Sequence, residues 1–121
     1  FPYSVDRMPY VTTKAALVSF TESLALYVKP MGVGVTLLLP GPVRTDIASR
    51  SQRFSAKFDF RGPGSQFDWI EPEEVGNMVV AAIENDIFFL PTDDKVRAKM
   101  QARAADPEAF IAAQLAQMAS E

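Results

Sequence analysis

The sequence predicts an α/β domain built around parallel strands, and three observations carry that reading. Helical and strand-like stretches alternate along the chain, the order that yields a parallel sheet with helical crossovers. Residues 34–39 (GVTLLL) are almost uniformly apolar rather than alternating, as a strand covered on both faces must be. Residues 10–29 are apolar on two helical faces, which suits a helix held between a sheet and a second helix.

Composition bounds what such a domain can do. At 121 residues the chain is one domain at most. Its 48% hydrophobic content is ordinary for a globular protein and too high for a disordered one. A net charge of −3 argues against a broad nucleic-acid interface. The absence of Cys removes disulfides, thiolate metal sites and Cys nucleophiles. The absence of His removes the commonest general base and metal ligand. Proton chemistry must therefore fall to Asp, Glu, Lys or Tyr. The strongest apolar run, residues 33–39, is far short of the ~20 residues that span a bilayer. No signal-peptide pattern precedes it, so no membrane partner is expected and the expected location is cytoplasmic. The first residue is Phe1, within a loop-like stretch, and the chain is expected to be a piece of a longer protein.

Each element has a local reason. Residues 1–9 read as an extended approach, with Pro2 and Pro9 opposing helix. Within residues 10–29, Val11, Ala15 and Val18 share one face, and Leu17, Phe20, Leu24 and Val28 another. Pro30 and Gly32 end that helix. Pro40, Gly41 and Pro42 stop the strand at 34–39. Residues 43–71 form a long irregular excursion, with some helix expected over 48–57. It mixes Phe54, Phe58, Phe60, Phe67 and Trp69 with Arg44, Arg50, Arg53, Lys57 and Arg61. Connections this long are usually functional covers or disordered segments.

Residues 72–85 give the cleanest helix. Pro72 suits its first position, and Glu73 and Glu74 complement the dipole. Val75, Met78, Val79, Ala82 and Ile83 make its apolar stripe. Residues 87–90 (IFFL) read as a second buried strand, and 93–104 and 107–119 as two further helices. Asp106 caps the last helix, and Phe110, Ile111, Leu115 and Met118 form its stripe. A strand–helix–strand unit joins parallel strands by a right-handed crossover. Two such strands alone make no viable sheet, so the apolar faces of residues 10–29 and 34–39 call for more strands beside them.

Tyr10 and Lys14 are four residues apart at the start of a helix, which places phenol and ammonium on one face. Free Tyr has a pKa of about 10, too high for a base at neutral pH. A nearby ammonium favours the phenolate. Bringing the pKa to about 7 takes roughly 4 kcal/mol of differential stabilisation, of which one Lys supplies a part. A surface Tyr beside a solvated Lys is the other reading of the pair.

The wider pattern is Pro9, Tyr10, Val11, Thr12, Thr13, Lys14, then a strand at 34–39 running into Pro40, Gly41, Pro42, Val43, Arg44 and Thr45. Together with the Pro72-Glu73-Glu74-Val75 helix start, it resembles the short-chain dehydrogenase/reductase family over residues 3–91. The resemblance implies the C-terminal part of a Rossmann-type doubly wound parallel sheet, with the N-terminal cofactor-binding half absent. Residues 1–91 would be that part, 43–71 its substrate lid, and 92–121 a helical extension beyond the commonest family pattern. The implied activity is hydride transfer between NAD or NADP and an alcohol or carbonyl substrate. Tyr10 would move the proton. Lys14 would lower the Tyr10 pKa and bind the nicotinamide ribose. Pro40, Gly41 and Val43 would line the nicotinamide, and Thr45 would bind its carboxamide or a cofactor phosphate. A strand terminator is the plainer reading of the Pro-Gly-Pro turn. The helix 10–29 would join copies as a homodimer or homotetramer.

Several family features have no counterpart within these residues. The Ser that polarises the substrate lies further before the Tyr than this chain reaches, and Ser4 is too close to replace it. The upstream Asn, the glycine-rich pyrophosphate turn and the residue that selects NAD or NADP are also missing. The 121 residues alone are therefore expected to be inactive. The excursion at 43–71 would face a bulky or anionic substrate, or its Phe residues pack on the core and its cations form a solvated face. A non-catalytic fragment or self-associating module is the alternative function, and a degenerate family member a third.

Overall fold

The computed structural model describes residues 7–47 and 68–119. The chain begins with helix α1 (Met8–Val28), followed by a 3₁₀ turn (Lys29–Met31) and strand β1 (Leu37–Leu39). Helix α2 (Pro72–Glu84) leads to strand β2 (Phe89–Pro91), and helices α3 (Asp94–Ala105) and α4 (Pro107–Ala119) complete the order. The two strands are parallel, with Leu37 opposite Phe89, Leu38 opposite Leu90 and Leu39 opposite Pro91. The predicted α/β class and parallel pairing are observed.

The boundaries differ from the sequence pattern for local reasons. α1 starts at Met8 rather than residue 10, because Pro9 falls in the first turn, where a missing N–H costs nothing. The chain leaves α1 through Gly32, whose φ of 78° is left-handed and favours a residue without Cβ. The expected strand at 34–39 pairs only over its last three residues, because β2 offers three partners. Thr36 still reaches the neighbouring chain segment, donating from its hydroxyl to the Ile87 carbonyl at 3.0 Å. β2 itself lies one to two residues later than the apolar pattern suggests, at Phe89–Pro91. The helix expected over 48–57, with Phe54, Phe58, Phe60, Phe67 and their neighbouring cations, lies outside the described residues.

At the start of the strands, Lys29 pairs with Asp86 at 3.2 Å, linking the 3₁₀ turn to the segment after α2. Asp86 is itself left-handed, at φ 48°. A Cβ on Gly34 would lie 3.1 Å from the Asp86 carboxylate, so the glycine allows this close approach. At the other end, Asp93 caps α3 by accepting from the Lys95 N–H at 2.7 Å. Asp106 caps α4 by accepting from the Ala109 N–H at 2.9 Å.

The buried core among the described residues consists of Ala25, Leu37, Ala82, Val96 and Phe110. Each α-helix and β1 contributes one. α2 turns Ala82 fully inward, with Val75, Met78 and Val79 half-buried beside it, while Ile83 is exposed. α3 and α4 pack together around Val96 and Phe110. The Arg97 guanidinium lies 4.9 Å from the centre of the Phe89 ring, a cation–π contact between α3 and β2. Partial burial also lowers the pKa of Lys99 in α3 from the usual lysine range.

α1 does not show the double burial its pattern suggests. Leu17 is 51% exposed and Phe20 62% exposed, and Ala25 is its one buried residue. Val11, Val18 and Val28 are half-buried, so among the described residues both apolar faces of α1 are covered only in part. In α4 the predicted stripe is likewise divided: Phe110 is buried, while Ile111, Leu115 and Met118 are exposed.

The cap of α4 and the left-handed turn after α1 give a direct stability test. Asp106→Ala and Gly32→Ala should each cost about 1 kcal/mol, through a lost cap and a strained φ respectively. The midpoint of urea unfolding checks both. Asp106→Asn should restore most of the stability lost in Asp106→Ala, because Asn also accepts at the cap position.

Candidate active site

Tyr10 sits in the first turn of α1, and Lys14 one turn later. The helix brings them together as the spacing predicts: the Lys14 ammonium lies 5.4 Å from the centre of the Tyr10 ring. It sits over the ring face, in cation–π geometry. Tyr10 is 48% exposed, so its phenol is open to a ligand. The neighbouring threonines turn inward on the helix backbone. Thr12 donates to the Met8 carbonyl at 2.9 Å and Thr13 to the Tyr10 carbonyl at 2.8 Å. Their hydroxyls are thus engaged within the helix.

The second part of the site is the turn that follows β1. Pro40 and Pro42 carry no backbone N–H, which leaves few donors in this segment. The Gly41 N–H donates to the Thr92 hydroxyl at 2.8 Å. The Thr92 N–H donates to the Leu39 carbonyl at 3.3 Å, extending the strand pairing by one bond. Val43 lies in an isolated parallel bridge with Ile70. In that bridge the Ile70 N–H donates to the Pro42 carbonyl and the Arg44 N–H to the Ile70 carbonyl, both at 3.0 Å. Arg44 Nε also pairs with Glu71 Oε1 at 2.6 Å.

This pattern determines what the turn can offer a ligand. In a planar trans peptide, C=O and the following N–H point in opposite directions. The Pro42 carbonyl faces Ile70, so the Val43 N–H faces away from it. The Arg44 N–H faces Ile70, so the Val43 carbonyl also faces away. Val43 therefore presents one donor and one acceptor from the same residue, on the side opposite Ile70. Within residues 40–44, its N–H is the only backbone donor not already committed to a described partner. A primary carboxamide needs one donor for its oxygen and one acceptor for its nitrogen.

The predicted site residues thus form two groups. Tyr10 and Lys14 are joined on α1. Gly41 and Val43 are half-buried in the turn after β1, with Pro40 and Thr45 exposed beside them. No hydrogen bond or ion pair among the described residues joins the α1 pair to the turn. Thr92, Ile70 and Glu71 hold the turn in place, and none is evident from sequence spacing. Thr92 is 51 positions from Gly41, so the contact depends entirely on strand pairing.

A family model described as enoyl-(acyl carrier protein) reductase matches residues 4–89. The chain belongs to the short-chain dehydrogenase/reductase family. It is 38% identical over 81 residues to the 3-oxoacyl-[acyl-carrier-protein] reductase FabG of Aquifex aeolicus (strain VF5), covering 66% of this chain and 32% of that protein. It is 36% identical over 86 residues to protein FixR of Bradyrhizobium diazoefficiens, covering 69% of this chain and 26% of the relative. Glucose and ribitol dehydrogenase homolog 2 of Arabidopsis thaliana is 41% identical over 58 residues, 46% of this chain and 20% of the relative. This short-chain dehydrogenase/reductase chain spans no more than about a third of these relatives. No solved structure matches it. The family match stops short of α3 and α4, whose sequence lies beyond residue 89. No helix among the described residues is long and apolar enough to cross a membrane.

The stem at Val43 is held mainly by backbone bonds, since the Arg44 and Glu71 side chains are 64% and 60% exposed. Glu71→Gln should therefore change stability by less than about 1 kcal/mol. Ile70→Pro, which removes the N–H bonded to Pro42, should cost more, about 1–3 kcal/mol. Hydrogen exchange at the Arg44 amide checks this: it should quicken in Ile70→Pro and stay slow in Glu71→Gln.

Proposed function

We propose that residues 1–91 form the C-terminal part of an NAD(P)-dependent short-chain oxidoreductase that interconverts an alcohol and a carbonyl compound. The observation that carries this reading is the outward donor–acceptor pair of Val43, placed just past the C-terminal end of a parallel strand. Open parallel sheets bind ligands at that end. A nicotinamide carboxamide has the complementary groups, so the residues present suit the nicotinamide end of such a cofactor.

When bound, the nicotinamide would give a hydride to the substrate carbon in reduction and take one from it in oxidation. The chain's own residues handle the rest at this end. Tyr10 gives a proton to the substrate oxygen in reduction and takes it back in oxidation. Lys14 stabilises the phenolate that Tyr10 becomes, because a nearby cation favours the charged form, and reaches the nicotinamide ribose. Val43 orients the carboxamide, with Pro40 and Gly41 lining it. Thr45 adds a hydroxyl for the carboxamide or a cofactor phosphate. The substrate lid expected over 43–71 lies largely outside the described residues, and α3 and α4 form the helical extension.

Among the described residues no glycine-rich turn enters a helix from a strand, the usual cradle for a pyrophosphate. The rest of the dinucleotide would be held by other parts of a longer polypeptide, in keeping with the third or less of each relative that this chain spans. The exposed Leu17, Phe20 and Leu24 on α1 favour association of copies through this helix, as a homodimer or homotetramer. The same exposure supports a second reading, in which these residues serve as a self-associating module without catalysis.

In the full-length protein, Tyr10→Phe should lower kcat by about 10²-fold or more while NAD(P)H affinity stays nearly constant. Steady-state kinetics with a fluorescence titration of NAD(P)H checks this, and unchanged turnover would remove Tyr10 from its role. Residues 1–121 alone should show no micromolar binding of NAD(P)H in a calorimetric titration. Tight binding there would place the phosphate site within these residues.

A further inference from the structure

We propose that Thr92 is a positioning residue for the nicotinamide end of the site, acting through the Gly41 peptide. The proposal rests on the oxidoreductase reading above. Thr92 follows the last residue of β2 and grips the turn after β1 at two points. Its N–H bonds the Leu39 carbonyl at 3.3 Å, and its hydroxyl accepts the Gly41 N–H at 2.8 Å. The hydroxyl contact is partly buried, where water replaces it poorly.

The hydroxyl sets the orientation of a whole peptide plane. With the Gly41 N–H held against Thr92, the Pro40 carbonyl must point the opposite way. Proline supplies no competing N–H at positions 40 or 42. The Thr92 bond and the Ile70 bridge act on nearby peptides of the same turn. One orients the plane between Pro40 and Gly41; the other orients the planes on either side of Val43. Thr92 therefore fixes the approach to Val43 without touching the ligand. Thr is suited to this because its β-branched side chain has few χ1 states. A Cβ on Gly41 would lie 3.5 Å from the Thr92 hydroxyl, ordinary contact distance, so the hydroxyl and not a lack of space is what holds the turn.

The test uses the full-length protein and the variants Thr92→Val, which removes the hydroxyl at nearly constant shape, and Thr92→Ser, which keeps it. Hydrogen exchange at the Gly41 amide should quicken about tenfold in Thr92→Val and remain slow in Thr92→Ser. NAD(P)H affinity should fall about tenfold in Thr92→Val and recover in Thr92→Ser. Affinity for ADP-ribose, which lacks the nicotinamide, should be the same in all three proteins. Thr92→Ala should behave as Thr92→Val does, and serves if the valine variant does not fold. Unchanged Gly41 exchange in Thr92→Val would overturn the proposal. So would equal losses of NAD(P)H and ADP-ribose affinity, which would mark a general structural role. A wild-type protein that binds neither ligand would instead overturn the oxidoreductase reading, while the exchange result still reports on the Thr92 contact itself.

Discussion

Parallel pairing of Leu37–Leu39 with Phe89–Pro91 is the constraint on which the rest of the structure depends. The register sets Leu39 opposite Pro91 and so delivers the next residue, Thr92, to the turn that begins at Pro40. A shift of one residue would also reverse which side chains face each side of the sheet. α2 packs against β2 and buries Ala82, the most deeply buried side chain in the described core. At the opposite end from Thr92, Thr36 bonds Ile87 and Lys29 pairs with Asp86. Contacts at both ends of a three-residue ladder thus reinforce one alignment.

That alignment also organises the chemistry of the turn after β1. Proline at two of three positions removes donors, and tertiary contacts use most of the remainder. Among the described residues the Val43 N–H is the backbone donor that remains, and it and the Val43 C=O are directed away from Ile70. The contacts that hold this arrangement come from two separate stretches of chain. Thr92 follows the end of β2, while Ile70 and Glu71 precede α2.

α1 contrasts with this well-tied centre. Its two apolar faces are encoded clearly, yet Leu17, Phe20, Leu24, Leu26 and Tyr27 remain exposed. Burying a Leu or Phe side chain is worth about 1.5–3 kcal/mol, so such a helix gains most when another surface covers it. Tyr10 and Lys14 stand at the start of this same helix. Their pairing is local and survives that exposure, because a one-turn spacing needs no help from the core. Their distance from Val43, by contrast, is a matter of how α1 is packed.

Much of the fold was legible in the residues themselves. Pro72, Glu73 and Glu74 mark the start of α2, and Asp106 with Pro107 marks the start of α4, because helix ends obey local hydrogen-bond rules. Residues 34–39 announced a strand through their nearly uniform apolar run, although Leu37 alone is buried and Leu38 and Leu39 are half-buried. The shared face of Tyr10 and Lys14 likewise follows from helical spacing alone. Other features were settled only by tertiary structure. Pairing trimmed β1 to three residues, since a strand extends only where a partner supplies hydrogen bonds. Thr92, Ile70 and Glu71 came to hold the turn after β1 because distant segments met there. No local pattern marks them: a backbone group's partner depends on which chain segment the fold lays beside it, and that is decided by register rather than by neighbouring sequence.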